Sequence, residues 1–309
     1  MNFGSKFPRR SLPAVAGALA CLLALGPIGG LAQDARPAAA PPPAGSVSGF
    51  GDVNLFPKRV VLNGAREIAN VGLYNKTTET GDYEIKIVDM AMTPSGNLVA
   101  FDNGLDDATK ARVKVASPML RYSPRRVTLR GSESQIVRIL ARADANLAPG
   151  EYRSHFMVTS LPETEGFSIQ NAVGAQTPDG IGVTIRPRFG IAIPVILRIG
   201  ATTLEVGITN ATMLTAQDGS KAVAFTVTRS GSRSAFGDIV IKAAGASSPI
   251  AISKGVGIYP ELDSRQVIVP IFPETDPRFL ATGARLSIEF VDDDYAPGNK
   301  LAEHAFTVP

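Results

Sequence analysis

The stretch IGVTIRPRFGIAIPVILR, residues 181–198, decides the fold class of this chain. Every odd position in it is apolar except Pro187, which is the alternation of an extended strand and not the period of a helix. The stretch exceeds the roughly 3–10 residues of most strands, so part of it should lie at a sheet edge or run beyond its own sheet. Two readings stay open, which are strand addition to a partner and a long strand that continues into an interdomain linker.

Shorter stretches of the same kind recur from residue 51 onward. Tyr83–Val88 alternates apolar and polar residues, and turn signals such as Asn63-Gly64 separate successive runs. Only residues 106–112 favour a short turn of helix. A second series of strand patterns begins near Thr203. The chain is therefore expected to be all-β, with antiparallel β-sandwich domains at residues 51–199 and 200–309.

Residues 1–32 have the pattern of a secretory signal peptide. Basic residues precede an apolar run from Leu12 to Leu25, and Gly30-Leu31-Ala32 offers small residues for cleavage after Ala32. The run is shorter than the ~20 residues of a membrane span and is broken by Gly and Pro, which favours export over an anchor. Lipoprotein cleavage before Cys21 fits the residues less well. Residues 33–50 are Pro/Ala-rich and predict a disordered linker.

The composition excludes several classes of protein. The chain has 309 residues, with 31 Lys and Arg against 28 Asp and Glu. Three of the basic residues lie in the signal peptide, so the exported chain is neutral, which argues against a nucleic-acid partner. One Cys and two His are too few for a disulfide framework, a zinc finger or an iron–sulfur site. An exported chain without cysteine suits an oxidising compartment.

Few residues suggest chemistry, and the chain is not expected to be an enzyme. It has no nucleophile elbow, P-loop or zinc-protease motif. His155 lies in a predicted strand, where a single histidine is more often a hydrogen-bonded structural residue than a base. Asp292-Asp293-Asp294 could bind calcium, but a solvated acidic turn is favoured. The arginines within residues 121–126 are expected on the solvent face of a strand. No metal or cofactor is expected.

Five segments, in order along the chain, carry a resemblance to a known family. They are VNLFPKRVVLNG (53–64), ANVGLYN (69–75), SPRRVTLRGSESQIVR (123–138), LAPGEYR (147–153) and IPVILR (193–198). The set resembles strands and turns of the periplasmic pilus-assembly chaperones of the chaperone–usher pathway. The resemblance implies two immunoglobulin-like domains. It also implies that the last strand of the first domain completes a pilin subunit that lacks its own last strand.

The resemblance further implies two basic residues that hold the C-terminal carboxylate of the subunit. The first is Arg59, and an arginine fork suits a carboxylate. The second is usually a lysine on the last strand of the domain, but Pro194 falls near that place in this sequence. Arg186, Arg188 and Arg198 are the candidate substitutes.

Alternation predicts which side chains the long strand would lend to a subunit. Each one buried in a subunit groove would contribute roughly 1.5–3 kcal/mol. The predicted donor residues are Ile181, Val183, Ile185, Phe189 and Ile191.

The resemblance predicts a periplasmic chaperone that stabilises pilus or fimbrial subunits by donor-strand complementation and delivers them to an outer-membrane usher. The exported chain is not expected to enter a membrane. The alternative is a secreted two-domain adhesion or carbohydrate-binding module, although 6% aromatic residues without Trp is low for sugar stacking. A structural pilus component would need an N-terminal extension of alternating large apolar residues, which residues 33–50 lack.

Overall fold

The computed structural model describes residues 47–48, 52–144, 146–161 and 189–309, which are mostly in β-strands. Exceptions are helix α1 (Asp107–Arg112) and two 3₁₀ turns, Ser117–Met119 and Pro277–Leu280. The described residues all belong to one compact unit, residues 37–309. The strands are β1 (Val47–Ser48), β2 (Val53–Phe56), β3 (Val60–Asn63), β4 (Ile68–Asn75), β5 (Gly81–Val88), β6 (Met90–Met92), β7 (Leu98–Ala100), β8 (Leu120–Ser123), β9 (Arg126–Leu129), β10 (Ser134–Ala141), β11 (Gly150–Leu161), β12 (Gly190–Ile199), β13 (Leu204–Thr215), β14 (Lys221–Gly231), β15 (Ala235–Ala243), β16 (Ala251–Ile258), β17 (Ser264–Pro270), β18 (Arg285–Asp292) and β19 (Lys300–Thr307).

The first sandwich consists of two five-stranded sheets, in the orders β1-β2-β4-β10-β8 and β3-β12-β11-β5-β9. Neighbouring strands are antiparallel except for β3 and β12, where Val60–Asn63 runs parallel to Val195–Arg198. The order corresponds to the immunoglobulin arrangement, with β2, β4, β10 and β8 in one sheet facing β5, β11 and β12 in the other. This confirms the predicted immunoglobulin-like architecture.

The second sandwich faces a three-stranded sheet, β13-β14-β17, against a four-stranded sheet, β16-β15-β18-β19. All of its strand pairs are antiparallel, which confirms the prediction of an all-β chain with two antiparallel sandwiches. The predicted limits at residues 51–199 and 200–309 stay predictions. Within the predicted linker the structure describes only Val47–Ser48, which pairs with β2. The predicted signal peptide, residues 1–32, lies outside the described residues.

Alternating side chains build a separate apolar core in each sandwich. The larger buried side chains of the first core include Leu55, Leu73 and Phe156, and those of the second include Ile239 and Phe290. The predicted helix is also confirmed: Asp106 caps α1 by accepting a hydrogen bond from the Thr109 amide at 2.8 Å. None of the described helices is long and apolar enough to cross a membrane.

A hairpin made of β6 and β7 extends from the first sandwich onto the second. The Gln266 amide of β17 donates to the carbonyl of Pro94 in the hairpin turn at 2.9 Å. The Met92 amide donates to Oε1 of Glu261 at 2.9 Å. Met92 also belongs to a small apolar cluster with Ile196, Phe236 and Tyr259, which come from both sandwiches. The two sandwiches therefore share a packed contact, which positions the charged residues described next.

Candidate functional site

An acidic turn between β18 and β19 projects from the second sandwich toward the first. Asp292 is 3% exposed and accepts hydrogen bonds from the amides of Asp294, Tyr295 and Ala296 at 2.7, 3.2 and 3.0 Å. The prediction of a solvated acidic turn is wrong, because Asp292 is buried and arginines of the first sandwich cover most of Asp293 and Asp294. The turn is built by Asp292 and neutralised across the interface.

Arg59 lies between β2 and β3, where it binds this turn. Its Nη2 atom donates to Oδ1 of Asp293 at 2.9 Å and to the carbonyl of Asp293 at 3.0 Å. Its Nε lies 3.6 Å from Oδ1 of Asp294. The guanidinium also stacks over Phe236, with Cζ 4.3 Å from the ring centroid. Arg59 is therefore held in one orientation by groups of the second sandwich.

Arg198, at the end of β12, is enclosed by two carboxylates. Its Nη2 pairs with Asp294, and its Nε lies 3.3 Å from Oε2 of Glu151. Glu151 in turn accepts from the amide and hydroxyl of Ser234. Burial opposes the charge on Arg198, but the two carboxylates outweigh it and raise the pKa of the guanidinium. A third carboxylate at Arg198 would therefore need to displace one that is already bound.

A pocket of about 550 Å³ opens beside these pairs. The exposed side chain of Tyr295 lines this pocket. The Arg233 guanidinium lies 4.4 Å from the centroid of the Tyr295 ring. The pocket gives solvent access to the charged interface. It is lined by Val61, Asn63, Gly64, Arg198, Gly200, Thr202, Asp294 and Tyr295.

Arg153 and Glu261 form a second cross-sandwich pair that was not predicted from the sequence. The two hydrogen bonds between them are 3.0 and 2.8 Å long, and Arg153 also donates to the carbonyl of Met90 at 2.9 Å. The guanidinium lies 3.5 Å from the ring centroid of Tyr259. The charged residues Glu151 and Arg153 within strand β11 indicate a contact with another part of the protein. No sequence pattern, however, identifies Glu261 as the partner of Arg153.

His155, two residues further along β11, is fully buried. Its ring packs edge to face with that of Tyr259 at a centroid distance of 6.1 Å, and neither ring nitrogen has a hydrogen-bond partner among the described residues. The expectation of a hydrogen-bonded structural histidine is therefore wrong for the residues described. Burial, with a smaller contribution from the charge of Arg153, lowers the pKa of His155 to about 3.

One edge of β12 is only partly covered. Along one side it pairs with β11 over its whole length, but on the other side β3 covers only Val195–Arg198. The Ser160 amide donates to the carbonyl of Phe189, so odd-numbered residues of this strand direct their backbone groups toward β11. The backbone groups of Gly190 and Ala192 therefore point away from β11, along the part of the edge that β3 does not reach.

The predicted site residues have different placements. Arg59 and Arg198 lie at the same interface and both contact Asp294. Phe189 is 45% exposed, whereas Ile191 is 8% exposed and packs in the core of its own sandwich. The remaining predicted residues lie outside the described part of the chain, and they are Arg186, Arg188, Ile181, Val183 and Ile185.

Several solved structures are similar to this chain. The YadV chaperone is 13% identical, with 84% of this chain and 100% of that chain covered and a TM-score of 0.43. The E. coli chaperone DraB is 12% identical, with 83% and 96% covered and a TM-score of 0.41. The CsuC–CsuE chaperone–tip subunit complex of Acinetobacter baumannii Csu pili matches at 11% identity, with 84% and 98% covered and a TM-score of 0.39. No protein-family model and no curated protein sequence matches the chain.

Proposed function

We propose that this chain is a non-enzymatic periplasmic chaperone that binds pilus or fimbrial subunits by strand addition at β12 and delivers them to an outer-membrane usher. The observation that carries the proposal is the half-covered edge of β12. β3 pairs only with Val195–Arg198, so Gly190–Pro194 has no described strand on that side. An uncovered edge of this kind is a template for a strand from another chain.

The backbone of the edge supports strand addition at its start. Gly190 and Ala192 present N–H and C=O groups to an incoming strand, whereas Pro194 has no N–H to donate. Proline is tolerated at such a position because the missing hydrogen bond is on the edge side. A subunit strand would therefore pair with residues before Pro194. This part of the edge ends where the pairing of β3 with β12 begins, at Val195.

The burial of Ile191 supports a donor face that lies before this residue. Ile191 is already covered by the core of its own sandwich, so we restrict the proposed donor residues of the described strand to Phe189. Ile181, Val183 and Ile185 stay in the proposal on the alternation of the sequence alone. Arg59 is retained as the proposed anchor of the subunit carboxylate.

Periplasmic co-expression with candidate pilin subunits tests the proposal. A tagged wild-type chain should co-purify with one of the subunits. Ala192→Pro should abolish the co-purification, because it removes an edge N–H while the strand pairing with β11 is kept. Recovery of the same amount of subunit with Ala192→Pro would contradict strand addition at this edge.

A matched control accompanies that variant, and a second variant with its own control tests the donor face. Ala192→Ser changes the side chain and keeps the N–H, so subunit recovery should stay at the wild-type level. Ile185→Asp should abolish recovery, whereas Thr184→Asp, on the opposite side in the alternation, should reduce it much less. Delivery is tested separately by adding the outer-membrane usher and asking whether it retains the chaperone with its subunit and not the free chaperone.

A further inference from the structure

Two cations of the first sandwich hold a single carboxylate of the second. Lys58 Nζ pairs with Oδ2 of Asp293, and Arg59 Nη2 donates to Oδ1 at 2.9 Å. Each carboxylate oxygen thus has its own positively charged donor. This is the arrangement by which a protein binds a free carboxylate group tightly.

The surroundings keep the two cations in place and leave a route for exchange. The side chain of Arg59 is 10% exposed and is fixed against Phe236, whereas Lys58 is 50% exposed. Asp293 lies beyond the end of β18, in the turn that Asp292 organises. Its carboxylate can therefore leave the two cations without breaking the pairing of β18 with its neighbouring strands.

Electrostatics keep Asp293 ionised. Burial opposes ionisation, but the hydrogen bonds and charges of Lys58 and Arg59 outweigh it and lower the pKa of the Asp293 carboxyl. The site thus holds an anion at neutral pH, and its two cationic donors are groups that bind carboxylates.

The geometry points to Lys58 as the second cation of a carboxylate-binding site with Arg59, occupied by Asp293 as an internal ligand until a bound subunit's terminal carboxylate replaces it. This inference rests on the proposed function, because the subunit is the source of the incoming carboxylate. It accounts for Pro194 at the place where the resemblance expects a lysine, since the adjacent Lys58 supplies the missing charge.

Competition between Asp293 and an external carboxylate should be measurable as a change in binding affinity. Asp293 is present at a high effective concentration, so it should weaken the binding of any external carboxylate. The probe is a short peptide of alternating Val and Thr, prepared with a free terminal carboxylate and as the C-terminal amide. NMR of the Arg59 Nε–H group follows the titration of the full exported chain with each peptide.

Asp293→Asn should bind the carboxylate peptide about tenfold more tightly than the wild type, with no change for the amide. Adding Lys58→Met to that variant should cancel the gain. Equal binding of the two peptides to Asp293→Asn would overturn the inference, as would an unchanged affinity after the loss of Lys58.

Two further variants keep the test decisive. Lys58 has a half-exposed side chain, so the Lys58→Met variant should fold. It should bind the carboxylate peptide more weakly than the wild type, and this result does not depend on whether Asp293→Asn folds. Glu289→Gln removes a carboxylate that Lys242 and Lys300 hold at 2.9 and 3.2 Å on the same sandwich, and it should leave both affinities unchanged.

The two proposals fail in different ways. If the wild-type chain retains no subunit on co-expression, the proposed function is overturned. If it retains a subunit while the variants bind the carboxylate and amide peptides equally, only the assignment of Lys58 and Asp293 is overturned.

Discussion

Arg153 and Glu261 form a bidentate ion pair that is buried between the two sandwiches, each with only 2% of its side chain exposed. Glu261 accepts a further hydrogen bond from the Met92 amide of the hairpin, and Arg153 stacks on Tyr259. Three separate parts of the chain thus meet at one pair of charges. Removing either charge leaves the other buried without its counter-charge.

Arg153→Met should lower the free energy of unfolding by about 3–5 kcal/mol, because Glu261 is left buried without its counter-charge. Combining it with Glu261→Met should recover most of that loss, since two apolar side chains replace the pair. Urea unfolding of the single and double variants measures both effects. A double variant no more stable than Arg153→Met would contradict the buried pair as the cause.

The comparison for this pair is a second contact across the same interface. Arg112 Nη2 lies 3.0 Å from Oδ2 of Asp263, with side-chain exposures of 53% and 82%. Solvent screens this pair, so Arg112→Ala should cost less than about 1 kcal/mol. A large loss for Arg112→Ala would mean that burial does not set the energy of these interactions.

His155 should make the folded chain sensitive to acid. Its pKa is about 3 in the folded protein, against about 6.5 for an unperturbed histidine. Between these values the unfolded chain binds a proton that the folded chain does not, so stability falls as the pH falls. The slope is about 1.4 kcal/mol per pH unit, which amounts to about 2 kcal/mol between pH 6.5 and pH 5.

His155→Leu should remove this component of the pH dependence, because an apolar side chain of similar size cannot titrate. Chemical unfolding at a series of pH values from 7 to 4 gives the slope for each protein. His304→Asn, which removes the other histidine of the chain, is the matched control. An identical slope for the wild type and His155→Leu would show that His155 is not the source.

Alternation predicted the sandwiches because it reports directly on which side chains face the core. Tyr83 and Ile85, both apolar and two residues apart, are each 1% exposed, as the period of β5 requires. The same reasoning placed Ile191 on the donor face with Phe189, and the two do share a face of the strand. The sequence does not predict at which residue the side chains on that face stop packing in the core. This position depends on where β3 and the opposite sheet end.

The ion pairs between the two sandwiches could not be predicted from the sequence either, because they depend on which surfaces face each other. Arg59 was found through the resemblance, but its partner Asp293 lies in a turn that looked solvated. Whether an acidic run is solvated depends on which surface of the other sandwich packs against it. The local sequence pattern carries no information about that surface. Arg153 likewise looks like any polar residue of an alternating strand until Glu261 and Tyr259 are placed around it.

Ile191 and Phe189 should respond very differently to truncation. Ile191→Ala removes a side chain from the core of the first sandwich, so it should cost about 2–4 kcal/mol of stability. Phe189→Ser should cost less than about 1 kcal/mol, because nearly half of Phe189 is exposed. Urea unfolding of the two variants gives the comparison. Similar losses would contradict the division between core and donor residues.

Asn75, at the end of β4, should be intolerant of a carboxylate. Its side chain is fully buried, and Nδ2 donates to the carbonyls of Glu79, Leu129 and Arg130 at 2.8, 3.2 and 3.1 Å. Asn75→Asp would turn this donor into an acceptor that faces three carbonyl oxygens. The expected loss is about 3 kcal/mol or more at neutral pH, from an unsatisfied buried charge.

The loss for Asn75→Asp should shrink on acidification, because a protonated carboxyl can donate to one of the three carbonyls again. Asn70→Asp is the matched control, since Asn70 lies on the same strand with an exposed side chain. It should change stability by less than about 0.5 kcal/mol. Unfolding experiments at pH 7 and pH 5 separate the two sites, and equal losses at both would mean that the carbonyl cluster around Asn75 does not set the cost.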